Sequence, residues 1–119
     1  MKKLKIAVIG VGYLGRFHAQ KYAGMDDVEL IGVSDIDFER AKQVAAEVGT
    51  TAYPQYQDFF GKADAVSVVV PTPEHFQISR EFLEHDTDVM IEKPMTKTLA
   101  EADELIRISE ERGLIIQVG

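Results

Sequence analysis

One stretch constrains this chain more than any other: Ile6-Ala7-Val8-Ile9-Gly10-Val11-Gly12-Tyr13-Leu14-Gly15. Four apolar residues run without alternation into a glycine-rich turn, the pattern of a strand covered on both faces of a parallel sheet. Gly10, Gly12 and Gly15 fall on the spacing G-x-G-x-x-G. That spacing serves a tight turn, a close backbone approach to a pyrophosphate, and close packing of the following helix on the strand. The helix then meets the anion with free N–H groups and the positive end of its dipole. Glycine-rich turns also serve as packing devices alone, so an acidic residue about 20 positions on is needed to complete the device. Asp35 stands there, at the end of the apolar run Val28–Val33.

The remainder of the chain repeats this alternation. A first helix is expected from Tyr13 to Tyr22 with Gly24 as its stop, and a second strand over Glu29–Val33. Ala41, Val44, Ala45 and Val48 form one apolar helical face behind Asp37, closed by Gly49. A short strand at Thr51–Tyr53 and a short helix at Tyr56–Phe60 follow. Ala65–Val70 is a valine-rich strand. It ends at Pro71-Thr72-Pro73-Glu74-His75, where Thr72 is suited to cap a helix with Pro73 in its first position, running to about Glu84. Val89–Ile91 is a fifth strand. Thr98 and Glu101 make a capping box for a long helix that stops at Gly113, and Leu114–Val118 is the last strand. Six parallel strands with helices on both faces make a doubly wound α/β sheet, a single domain over residues 1–119.

Ligands of such sheets lie beyond the carboxyl ends of the strands. The unusual residues gather there: the glycine turn, Asp35, the segment from Pro71 to His75, and Glu92-Lys93-Pro94. Asp35 can accept from both hydroxyls of an adenosine ribose and would repel a 2′-phosphate, which favours NAD over NADP. Arg40, one helical turn later, leaves NADP possible. Asp35 as the mere start of a turn is the alternative. For Thr72 and Pro73 the capping role suffices from chemistry alone, and His75 reads as a solvated first-turn histidine until a partner is found. Glu92-Lys93-Pro94 stays open on spacing alone. Lys93 could stabilise the alkoxide that develops as hydride leaves a substrate hydroxyl, or the two charges could be an exposed ion pair.

Composition excludes several functions. A net charge of −7 argues against nucleic-acid and anionic-membrane surfaces. Without cysteine there is no disulfide framework and no thiolate metal site, and three scattered histidines make no metal cluster, so no metal is expected. Lys2, Lys3 and Lys5 precede an apolar run that stops at Gly10, too short for a secretory signal or a membrane helix. The expectation is a cytoplasmic protein.

Together these residues resemble the Gfo/Idh/MocA family (glucose–fructose oxidoreductase, inositol dehydrogenase and relatives). The matching pieces are Ile9 to Gly15 with His18 following, Val33-Ser34-Asp35, Pro71 to His75, Glu92-Lys93-Pro94-Met95, and Ala100 to Leu105 through Gln117-Val118-Gly119. The resemblance implies a Rossmann domain of a nicotinamide oxidoreductase acting on a secondary hydroxyl of a sugar, sugar derivative or cyclitol. It implies cofactor contacts at Gly10, Gly12, Tyr13, Leu14, Gly15, Asp35, Thr72, Pro73, His75, Glu92, Lys93 and Pro94, with Lys93 catalytic and the Lys93-Pro94 bond cis. The family's second α+β domain, which supplies substrate contacts and the main proton-transfer residue, has no counterpart in these residues. The chain is therefore expected to bind cofactor without efficient turnover, as a monomer or weak dimer, the intact enzyme being a homo-oligomer. A binding module that senses NAD(H) without catalysis and a methyltransferase-type nucleoside binder, which also uses a glycine-rich first turn and an acidic second strand end, are the other readings, and neither gives a reason for Lys93.

Overall fold

The computed structural model describes residues 3–119; Lys2, counted above among the N-terminal lysines, lies outside them. Strands β1 (Leu4–Ile9), β2 (Val28–Ser34), β3 (Ala52–Tyr53), β4 (Ala65–Val68), β5 (Asp88–Ile91) and β6 (Ile116–Val118) form one sheet in the order β3-β2-β1-β4-β5-β6. Every pairing is parallel. The chain winds outward from β1 in one direction, then returns to start again at β4. The reversal of strand order lies between those two strands, where a crevice opens at the carboxyl ends.

Side chains of β1 alternate between two layers, as the pleat requires. Ala7 and Ile9 face a layer containing Phe59, Phe82, Leu83 and Leu105, whereas Val8 faces Val33, Ala41, Val44 and Ala45. Helices α1 (Tyr13–Ala23) and α2 (Phe38–Val48) cover the second layer; α3 (His75–Glu84) and α4 (Leu99–Arg112) cover the first. Burying a side chain such as Phe82 or Leu83 in this way contributes about 1.5–3 kcal/mol.

Helix ends follow the local chemistry. Asp37 accepts from the Arg40 amide at 3.3 Å to start α2, and Gly49 ends it in the left-handed region. Thr98 accepts from the Glu101 amide at 3.2 Å to start α4. The Glu101 carboxylate reaches the Lys97 amide at 3.3 Å, so the reciprocal half of the capping box is displaced by one residue.

Three expectations are corrected. The strand expected over Ala65–Val70 ends at Val68, and Val69 and Val70 turn out to form a rim of the crevice. The last strand begins at Ile116 instead of Leu114, because the Leu114 amide closes α4 by donating to the Ser109 carbonyl at 2.8 Å. Thr72 caps nothing: residues Thr72–Glu74 form one 3-10 turn, and the helix begins at His75. The Glu74 amide donates to the Pro71 carbonyl at 2.9 Å, so backbone does what the threonine side chain was expected to do.

Candidate functional site

The three glycines of the turn have separate tasks. At Gly10 φ is +91°, and a Cβ there would stand 2.3 Å from the Val69 carbonyl oxygen, so the ends of β1 and β4 touch backbone to backbone. A Cβ on Gly15 would stand 1.8 Å from the Gly10 carbonyl oxygen, which clamps α1 onto its own strand. A Cβ on Gly12 would meet nothing within 4 Å. Its open side faces the crevice, where a ligand can approach the backbone.

Helix α1 begins bare. Gly12 supplies no side-chain cap and no acidic residue stands in the first turn, whereas α2 has Asp37 and Glu39 and α4 has Thr98 and Glu101. First-turn N–H groups have no partner within a helix, and the dipole leaves this end positive. An oxyanion of a phosphate satisfies both demands.

A cleft of about 540 Å³ opens beside this turn. It is lined by Gly10, Gly12, Ser34, Asp35, Ile36 and Arg40 and by residues 54–57 and 69–71. The volume suits a nucleoside-sized ligand. Ile36, 98 % exposed immediately after Asp35, contributes an apolar surface to the lining. The hydroxyl of Ser34 is buried with no hydrogen-bond partner. An open glycine, an uncapped helix start, a buried carboxylate and an orphaned hydroxyl around one cleft fit a dinucleotide.

Asp35 is the most constrained polar group here. Its Oδ2 accepts from the Val11 amide at 2.8 Å and from Arg40 Nε at 3.3 Å. Its Oδ1 accepts from the Asp37 amide at 2.8 Å and from Arg40 Nη2 at 2.9 Å. Burial pushes the carboxyl up, but the Arg40 hydrogen bonds, the Asp37 and Val11 amides and the Arg40 charge together bring it below its ordinary value of 3.8. Asp35 is therefore an anion across the physiological range. It holds the end of β2 and the glycine turn of β1 in one arrangement.

The second cluster lies along the Glu92-Lys93-Pro94 segment after β5. The Lys93-Pro94 peptide bond is cis. His75, read above as solvated, is 2 % exposed. Its Nε2 lies 2.8 Å from the Val70 carbonyl, and its Nδ1 lies 3.1 Å and 3.2 Å from the Pro94 and Met95 carbonyls. The ring thus ties the end of β4 to the segment that carries Lys93. Glu92 is held from another side: His18 Nε2 on α1 lies 3.2 Å from its carboxylate. Lys93 itself is exposed, and its backbone amide donates to the Gly119 carbonyl at 3.2 Å.

Gly10, Gly12 and Asp35 come together in the cleft as the sequence suggested. Gly15 lies behind them as packing, and Tyr13, 92 % exposed, lines a neighbouring hollow of about 340 Å³ with Arg16 and Arg40. Leu14 is also exposed on α1. Thr72 and Pro73 flank the cleft through their neighbours Pro71 and Glu74, while Glu92, Lys93 and Pro94 lie outside its lining. Sequence reasoning missed the wall at residues 54–57, which includes the start of the short helix expected at Tyr56–Phe60 and found as a 3-10 turn over Tyr56–Phe59, and the partners of Glu92 and His75.

Comparison with known proteins came to the same region of fold space. The model of the Gfo/Idh/MocA oxidoreductase family, NAD-binding Rossmann fold, matches residues 4–119. UDP-N-acetylglucosamine 3-dehydrogenase of Acidithiobacillus ferrooxidans is 44 % identical over all of this chain, which spans 37 % of that protein. Its crystal structure superposes with a TM-score of 0.94, this chain covering 39 % of it. The scyllo-inositol 2-dehydrogenase (NAD(+)) of Bacillus subtilis is 32 % identical over 98 % of this chain and 35 % of its own length. GenD2 from gentamicin A biosynthesis, solved in complex with NAD, is 25 % identical with a TM-score of 0.95 over the whole chain and 35 % of GenD2. The chain thus spans little more than a third of the relatives it matches.

Proposed function

We propose that this chain, which belongs to the Gfo/Idh/MocA oxidoreductase family, is the cofactor-binding part of an NAD-dependent dehydrogenase acting on a secondary hydroxyl of a sugar, sugar derivative or cyclitol. The observation that carries the reading is the cleft at the strand-order reversal. It joins the open Gly12, the bare start of α1 and the buried Asp35 anion around one volume. The substrate class follows the relatives, whose names point to a nucleotide sugar and to inositol.

In this reading the α1 amides and Gly12 receive the pyrophosphate, and Asp35 receives the adenosine ribose, with Ile36 against the base. Bound NAD supplies the hydride acceptor. The chain's own contribution to chemistry is Lys93. Its ammonium donates to the reacting hydroxyl oxygen and stabilises the negative charge that grows there as the carbonyl forms. His18 and His75 fix the segment around it from two sides, so the lysine's backbone position is set before substrate arrives. The whole chain binds cofactor in this scheme, and turnover requires substrate held beside Lys93.

Calorimetric titration with NADH, NADPH and S-adenosylmethionine in parallel tests the reading. Saturable NADH binding, tighter than NADPH, is expected. Binding of S-adenosylmethionine alone, or of none of the three, overturns it.

A further inference from the structure

We propose that the cleft reads the nucleobase of its ligand by hydrogen bonds and takes a 6-aminopurine in preference to a 6-oxopurine. This rests on the reading that the cleft holds a dinucleotide. Glu74 accepts from the exocyclic amino group, and the buried Ser34 hydroxyl donates to a ring nitrogen. Ser34 ends β2 and is 2 % exposed. It lines the cleft, and its hydroxyl has no hydrogen-bond partner among the described residues. The pleat sets its side of the sheet. Val33 packs in the layer of α1 and α2, whereas a Cβ on Gly32 would stand 2.6 Å from the Tyr53 ring on the other face. The Ser34 hydroxyl therefore shares its face with Tyr53 and with the 3-10 turn Tyr56–Phe59. Buried hydroxyls are bonded in nearly all folded proteins. One without a partner at the wall of a cleft is a donor short of an acceptor, and every purine offers ring nitrogens with lone pairs.

Glu74 immediately precedes α3, yet its carboxylate caps no amide of that helix. It is exposed and lines the same cleft. Its charge reaches the wall at residues 54–57. Burial, then the Glu81 hydrogen bond and charge, then the charge of Glu74 push the Tyr56 phenol above its ordinary value of 10. That wall is held in place, since the Tyr56 hydroxyl donates to Glu81 of α3 and its ring lies 5.9 Å from that of Phe82. An ionised carboxylate accepts and never donates. The amino group of adenine brings it N–H donors. Hypoxanthine sets an oxygen at the same place, and two acceptors then face each other. Gln55 and Gln57 also line the cleft, but an amide can turn to donate or to accept, so it separates the two bases weakly. The choice of base falls to Glu74.

The test is calorimetric titration with NADH and with reduced nicotinamide hypoxanthine dinucleotide, in which an oxygen replaces the amino group of the base. The wild-type chain is expected to bind NADH about tenfold tighter, the scale of a hydrogen bond to an exposed charged group. Glu74→Gln should bring the two affinities within about threefold, because its amide meets either base. Ser34→Ala should weaken NADH binding about three- to tenfold. It should leave the denaturation midpoint unchanged or raised, since the hydroxyl it removes is unbonded in the free chain; a serine serving the fold alone would lower that midpoint. Equal affinity of the wild-type chain for the two nucleotides overturns the proposal. A preference that survives Glu74→Gln, or an NADH affinity unmoved by Ser34→Ala, overturns it also. Binding of neither nucleotide removes the cofactor reading and this inference with it, an outcome distinct from the others.

Discussion

The two ends of the candidate site are built on different principles. At the Asp35 end the geometry is set by backbone contacts: glycine against carbonyl at Gly10 and Gly15, and two amides on one buried carboxylate. At the Lys93 end, side chains hold a segment that lies outside any regular element, His75 from between backbone carbonyls on its two sides and His18 through Glu92. Lys93 itself remains exposed. Binding at the first end needs a shape that varies little. Under the proposed function, chemistry at the second needs an ammonium free to meet another molecule, which accords with fixed surroundings and an exposed Lys93 side chain.

The largest expected effect lies at the backbone-built end. Gly15→Ala puts a methyl group where 1.8 Å separates it from the Gly10 carbonyl oxygen. It should cost about 3 kcal/mol or more in urea denaturation, with α1 displaced from its strand. Gly12→Ala, with open space on its side, should shift stability by no more than about 1 kcal/mol. It should instead weaken NADH binding roughly tenfold by blocking the close approach of pyrophosphate to backbone. Equal effects of the two variants on stability would erase the division of labour within the turn.

Acid should act next, and through Asp35. Because its carboxyl lies below the ordinary 3.8 in the folded chain, the unfolded chain binds the proton first as pH falls. The stability it contributes is therefore fully present above that value and is lost as pH drops through the folded value. Asp35→Asn should remove this component. It should lower stability near neutrality by about 1.5–3 kcal/mol, the scale of hydrogen bonds to a charged group. A variant whose denaturation midpoint follows the same acid profile as the wild-type chain would deny Asp35 that role.

His75→Ala tests the other end. Removing the ring takes away its packing between the Val70 carbonyl and the Pro94 and Met95 carbonyls and the N–H it donates on one of those sides, a loss of about 1–3 kcal/mol where the groups stay buried. Faster hydrogen exchange should be confined to the residues around Glu92 and Pro94. A stability unchanged within error would mean that this segment is held by something other than the histidine. The smallest effect is expected at Lys93→Ala. Stability should move by less than about 0.5 kcal/mol, as for an exposed residue outside the core. NADH affinity should hold within about twofold, since the affinity-bearing contacts of this reading are at the opposite end. A large loss of affinity would make Lys93 a binding group and collapse the distinction between the ends.

How far the sequence was legible depends on what leaves a trace in residue type. Gly10 and Gly15 are readable because the space allotted to them admits no side chain, and Asp35 because its spacing from the turn follows from strand and helix lengths. Caps at Asp37 and Thr98 are readable for the same local reason. Thr72 misled, since Thr-Pro-Glu is a good cap by composition, yet here the Pro71 carbonyl takes the amide. His75 could not be read at all. Its partners are backbone carbonyls at Val70, Pro94 and Met95, which any residue would supply. Arg40 was visible as a nearby cation, but its grip on Asp35 depends on how α2 leaves the strand.

The two amides on Asp35 carry a consequence for how such a site can change over generations. Asp35 is a structural joint, since its two oxygens accept from the Val11 and Asp37 amides. Asparagine keeps one carbonyl acceptor, and serine or glycine fewer still at that reach. A mutational step at position 35 therefore loosens the glycine turn itself, whatever it does to ligand choice. Substitution at position 40 leaves both amide bonds in place, so neighbouring positions on one strand-to-helix turn differ in how freely they can vary.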